Sequence, residues 1–92
     1  MARAARTHLP IGEQLRRMRL HRGLTLMTLV ERCGGTGEVS EAAISRIETS
    51  YRHPNLATME LLSTGLECRF VIEGGATWID DLPDKPAENL SD

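Results

Sequence analysis

Apolar residues recur with a helical period four times along this chain, and then the period changes. Ile11, Leu15 and Met18 fall at i, i+4 and i+7, one stripe of an α-helix. Pro10 can open that helix, because its missing N–H is not needed in a first turn. Gly23 can close it from the position just past the end. Arg16, Arg17 and Arg22 fall mostly off the stripe. Thr25 is a fitting N-cap for a second helix over Leu26–Cys33, with Gly34 as terminator. Its inward positions are Leu26 or Met27, then Leu29, Val30 and Cys33. Ser40 caps a third helix, Glu41–Thr49, which turns Ile44 and Ile47 inward and Glu41, Ala42, Ser45 and Arg46 outward. Asn55 caps a fourth, expected to bury Leu56, Met59, Leu62 and Leu66.

Beyond Leu66 the pattern turns β-prone. Cys68-Arg69-Phe70-Val71-Ile72 places Phe70 and Ile72 on one side of a strand. Gly74-Gly75 suits a tight turn, after which Thr77-Trp78-Ile79 can return. A lone two-stranded hairpin is marginal in water, so Phe70, Ile72, Trp78 and Ile79 need a further surface. That surface is either the same segment of a second copy or the chain's own helices. The pattern alone predicts a mainly α fold: four short helices followed by a C-terminal strand or hairpin. The expected layout is a basic arm over 1–10, a helical domain over 11–66, the β element over 67–80 and an acidic, disordered tail over 81–92.

Charge sharpens this picture. The 92 residues carry a net −2, but unevenly. Residues 1–53 hold nine arginines against five glutamates, a balance of +4; residues 54–92 hold Arg69 and Lys85 against eight acids, a balance of −6. A basic front and an acidic back suggest two faces with different partners. No apolar run approaches the ~20 residues of a membrane span. The arginines of the opening MARAARTHLP have none behind them either, so a cytoplasmic protein without a secretory signal is expected. Cys33 and Cys68 stand outside any CxxC, and His8, His21 and His53 are scattered, so neither metal nor cofactor is expected. No nucleophile–base pair or carboxylate dyad points to an enzyme.

The stretch CGGTGEVSEAAIS raises one chemical question. Its glycines could cradle a phosphate, but a P-loop requires Lys and Ser or Thr directly after the last glycine, and here Glu38 follows Gly37. A dinucleotide loop requires a preceding strand, and the preceding element reads as helix. The second and third helices read better as a helix-turn-helix, with the first and fourth completing the core.

On these residues the chain resembles the Cro/C1 (XRE) helix-turn-helix family. The features are Gly23-Leu24-Thr25, Leu29, Ile44-Ser45-Arg46-Ile47-Glu48, Pro54 and Thr58, within about Ile11 to Leu66. The resemblance implies a mainly α, four-to-five-helix, lambda-repressor-like helix-turn-helix domain with a C-terminal strand or hairpin for dimerisation, an ion pair between Arg19 and Glu48, and a third helix that enters the major groove of double-stranded DNA. Base edges would be read by Ser40, Glu41, Ala42, Ser45 and Arg46. Phosphates would be met by Arg16, Arg17, Thr25, Thr28, Arg52, His53 and Asn55, and the minor groove by Arg3 and Arg6. The segment LLSTGLECRFVIEGG is further similar to HipB-type antitoxins, whose strands pair between protomers and which hold a kinase toxin. That implies an intermolecular ribbon built by Cys68–Glu73. With the hairpin's need for a partner surface, the expectation is a homodimer through Arg69, Phe70, Val71, Ile72 and Trp78 that reads an inverted-repeat operator, a repressor that is either an antitoxin or a phage-type regulator. A protein-interaction module on the same scaffold is the competing function. The chain differs from the family pattern in the inserted Gly35-Thr36-Gly37-Glu38, in Leu26 where glutamine is frequent, and in Ser50 where glycine is usual.

Overall fold

A computed structural model describes residues 9–34, 39–50, 53–80 and 82. Four helices, α1 (Ile11–His21), α2 (Leu26–Arg32), α3 (Glu41–Thr49) and α4 (Leu56–Leu66), precede an antiparallel hairpin of β1 (Phe70–Glu73) and β2 (Ala76–Ile79). The fold is therefore mainly helical with a hairpin, not a single strand, at its C-terminal end.

Local chemistry sets each boundary. Three of the four helices begin on a side-chain oxygen that accepts a backbone N–H three residues on: Thr25 from Thr28 at 3.1 Å, Ser40 from Ala43 at 3.1 Å, and Asn55 from Thr58 at 2.8 Å. Pro10 occupies the cap position of α1, one place earlier than a first-turn residue, and its carbonyl accepts from the Gln14 N–H. The hairpin turn is Gly74-Gly75, with φ +60° and +81°. A two-residue loop that follows strand twist needs positive φ at both positions, which glycine adopts without a Cβ clash.

The core lies where the helices meet: Leu15, Met18, Leu29, Val39, Ile44, Leu62, Leu66 and Ile79 are all at most 2% exposed. Two glycines set how closely the helices approach. A Cβ on Gly12 would overlap the carbonyl oxygen of Ile47, so α1 rests directly on the backbone of α3. A Cβ on Gly65 would come within 2.5 Å of Cys33 Sγ, where α4 crosses α2.

Two expectations about burial fail. Leu56 is 65% exposed, not buried with Met59, Leu62 and Leu66. Three residues advance a helix by ~300°, so Leu56 sits about 60° past Met59 on the solvent side of the stripe. Trp78, expected at a contact between copies, is 2% exposed and Ile79 1%, because β2 packs on α1. The hairpin thus finds the surface it needs on its own helices.

A polar side chain finishes that docking. Gln14 is fully buried on the inner stripe of α1. Its Oε1 accepts the Ile79 N–H at 2.8 Å, and its Nε2 donates to the carbonyls of Leu9 at 2.9 Å and Thr77 at 3.4 Å. Pairing of Glu73 with Ala76 and Val71 with Trp78 across the hairpin leaves the N–H and C=O groups of Thr77 and Ile79 on the outer edge of β2. Gln14 satisfies that edge as a third strand would.

Candidate nucleic-acid interface

The outer face of α3 is polar and largely uncommitted. Ser40, Glu41, Ala42, Ser45 and Arg46 are all exposed, while Ile44 and Glu48 point inward. These five expected base-reading residues are therefore all accessible, with Ser40, Glu41 and Ala42 at the start of the helix, Ser45 at its middle and Arg46 in its last turn. Ser40 spends an oxygen lone pair on its own helix, and its hydroxyl proton stays available. Among the described residues, no hydrogen bond or ion pair engages the Glu41 carboxylate or the Arg46 guanidinium, so these two do not pair with each other.

Arg19 and Glu48 fix α3 against α1. Arg19 Nε reaches Glu48 Oε2 at 2.7 Å and Nη2 reaches Oε1 at 3.0 Å, while Nη1 donates to the Leu24 carbonyl at 2.9 Å. The two side chains are 0% and 5% exposed. A planar fork matched to a carboxylate holds both distance and angle, which a single contact would not.

The expected phosphate contacts divide into two groups. Thr25 and Thr28 lie together at the start of α2, their hydroxyls 2.9 Å apart. One hydroxyl proton is used between them and one is left to donate outward. Asn55 caps α4 and, with Arg46 and Thr58, lines a surface depression of about 530 Å³ between α3 and the start of α4. Arg16 and Arg17, by contrast, are half-buried, and each already has a partner within the chain. His53, expected at a phosphate, spends both ring nitrogens inside the fold: Nδ1 lies 2.8 Å from the Pro54 carbonyl and Nε2 3.0 Å from Thr77 Oγ1. It ties the entry of α4 to the hairpin. Arg3, Arg6 and Arg52 lie outside the described residues, as do residues 35–38 and the tail apart from Leu82.

Sequence reasoning missed two arginines that close the back of the domain. Arg22 donates from Nε to the Leu66 carbonyl at 3.0 Å and from Nη2 to the Glu67 carbonyl at 2.8 Å. Arg32 donates to the Gly65 carbonyl at 2.8 Å and pairs with Glu67 at 2.6 Å. Cations at the carbonyl end of a helix meet its negative pole. These two charges of the basic half therefore serve α4 and are not part of the α3 face.

On the hairpin, Ile72 is 61% exposed, Phe70 and Val71 are half-buried, and Arg69 pairs with Asp80 at 2.5 Å. Leu56, Met59, Phe70 and Ile72 line a groove between α4 and β1. Cys33 is buried and Cys68 half-buried, both as free thiols. Burial pushes the Cys33 thiol up, against the Gly65 backbone and Arg32, which act the other way. Among the described residues, no cluster of His, Cys, Asp or Glu could hold a metal ion, and no helix is long and apolar enough to cross a membrane.

Comparison with known proteins fits this geometry. No curated protein and no solved structure matches the chain. A family model described as a helix-turn-helix domain matches residues 10–68, more than half of the chain and the whole of α1 to α4. A helix-turn-helix domain supports DNA binding, and the chain belongs to this helix-turn-helix family.

Proposed function

We propose that the protein is a dimeric, sequence-specific DNA-binding repressor whose α3 enters the major groove. One observation carries this reading: Glu41, Ala42, Ser45 and Arg46 stand exposed on one face of a helix whose tilt is fixed by the buried Arg19–Glu48 fork. A helix presented rigidly, N-terminal half outward, is the form in which this motif reads base edges. Thr25, Thr28 and the opening N–H groups of α4 at Asn55 would hold flanking phosphates, and Arg16, Arg17 and Arg52 would supply charge nearby. Arg3 and Arg6 of the N-terminal arm would reach an adjacent minor groove. His53 has no place in this list, because its ring is already occupied.

The second copy would add to β1. The outer edge of β2 is taken by Gln14, whereas the backbone groups of Phe70 and Ile72 point away from β2 along the other edge. Exposed Ile72 and Leu56 beside that edge supply apolar surface for a partner. Two copies joined there would read an inverted repeat with half-sites ~34–36 Å apart or a multiple. The further step, to the antitoxin of a toxin operon, rests on the resemblance of residues 61–75 alone.

Footprinting on duplexes selected from a random library tests the proposal. An inverted repeat should be protected, with log K falling by about 0.9 per phosphate neutralised for each unit of log salt. Equal affinity for a scrambled duplex, or no salt dependence, overturns it.

A further inference from the structure

Glu41 is out of keeping with a surface that must approach a polyanion. A carboxylate brought between sugar–phosphate ridges is repelled, and an intramolecular cation would ordinarily neutralise it. None does: Arg46, the nearest candidate on the helix, is unpaired with it, and the described salt bridges engage Glu48, Glu67 and Asp80 instead. Within the free protein Glu41 is tolerable, because it sits in the first turn of α3 at the positive end of the helix dipole. On DNA it must find a donor or weaken the complex.

Resting on the DNA-binding reading above, we infer that Glu41 is a specificity filter that demands a cytosine in each half-site and penalises every duplex lacking one there. An ionised carboxylate only accepts hydrogen bonds. In the major groove, guanine offers N7 and O6, both acceptors, and thymine offers O4 and a methyl group. Adenine offers a donor at N6, but N7 beside it and O4 of the paired thymine flank that donor with lone pairs. Cytosine N4–H₂ has the C5–H on one side, so it is the one donor a carboxylate approaches without facing acceptors on both flanks. The neighbours cannot substitute for this selection. Ala42 brings only a methyl group, and Ser40 and Ser45 carry hydroxyls that suit several bases. Glu41 thus discriminates as much by repulsion from wrong sites as by attraction to the right one.

The test is selection of sites from a randomised duplex library by the full chain, by Glu41→Gln and by Glu41→Ala, with affinities measured for selected and random duplexes. The wild-type protein should enrich cytosine at one position of each half-site, with about 5- to 10-fold loss when that base is replaced. Glu41→Gln should move that position to adenine, which glutamine reads at N6 and N7. Glu41→Ala should erase the preference there and leave the other positions intact. Both variants should bind random duplex several-fold more tightly than the wild type. Identical selected sites for wild type and Glu41→Ala, with unchanged affinity for random duplex, overturn the inference while leaving the DNA-binding reading standing. Absence of any enriched site for all three proteins overturns both.

Discussion

The Gln14 side chain accepts the backbone N–H of Ile79 at 2.8 Å across 65 residues of sequence, and so joins the first helix to the last strand. Its Nε2 faces the Leu9 and Thr77 carbonyls, which makes one amide the hydrogen-bonding neighbour that β2 otherwise lacks. Replacing it with alanine strands a buried N–H and opens a void. Gln14→Ala should therefore lower stability by ~1–3 kcal/mol for the orphaned group alone. Gln14→Glu should cost more, since a buried carboxylate keeps the acceptor but loses both donations. Urea unfolding midpoints would check this; an unchanged midpoint for Gln14→Ala would remove the strand-edge role.

Arg19 and Glu48 supply a second test. Removing one partner leaves a buried charge uncompensated, so Arg19→Met should cost about 3–5 kcal/mol. The double variant Arg19→Met with Glu48→Leu buries no charge and should recover a large part of that loss. A thermodynamic cycle over both single variants and the double reads the coupling directly. Additive losses would mean that the fork contributes nothing beyond its separate side chains.

Cys33 and Cys68 should react unequally. Thiolate is the reactive form, and burial raises the Cys33 pKa above the ordinary thiol value. In the native protein an alkylating reagent should label Cys68 well before Cys33, and the two at similar rates in denaturant. The same shift carries a stability term. Because the folded pKa lies above the unfolded one, this contribution is complete below the ordinary thiol pKa and is lost as pH rises through the folded value. Cys33→Ser should flatten that alkaline fall. Equal native labelling would contradict the packing of Cys33 against Gly65.

The proposed dimer makes a prediction on the hairpin. Ile72→Asp and Leu56→Asp place charge on exposed positions beside the β1 edge, so the fold should survive while self-association is lost. Sedimentation would show monomers, and operator affinity should fall with loss of the second half-site. Monomeric wild-type protein, or variants that associate normally, would exclude this edge.

Much of the framework is legible in the sequence because its determinants are local. Thr25, Ser40 and Asn55 each bond three residues ahead, and Gly74-Gly75 meets its requirement within the turn. Arg19 with Glu48 came within reach only through the family resemblance, since nothing nearby in the chain marks either residue. The rest depends on distant partners. Arg22 finds Leu66 across 44 residues and Arg32 finds Gly65 across 33, so composition counts them as free basic charge. Gln14 did leave a sign, a polar residue on an apolar stripe, but the strand that answers it lies far along the chain. Leu56 and Trp78 depart from expectation for related reasons: one lies about 60° round the helix from the stripe that packs, and the other is covered by a helix that pattern alone does not bring to it.

The seating of Gly12 against the Ile47 carbonyl bears on how such a domain could adapt. With no side chain between them as a cushion, α1 and α3 share a rigid joint, and the α3 rod cannot swivel without carrying the first helix along. In the proposed dimer, tolerance for uneven half-site spacing would then have to come from elsewhere, from the give of the duplex or from a hinge between one copy and the next.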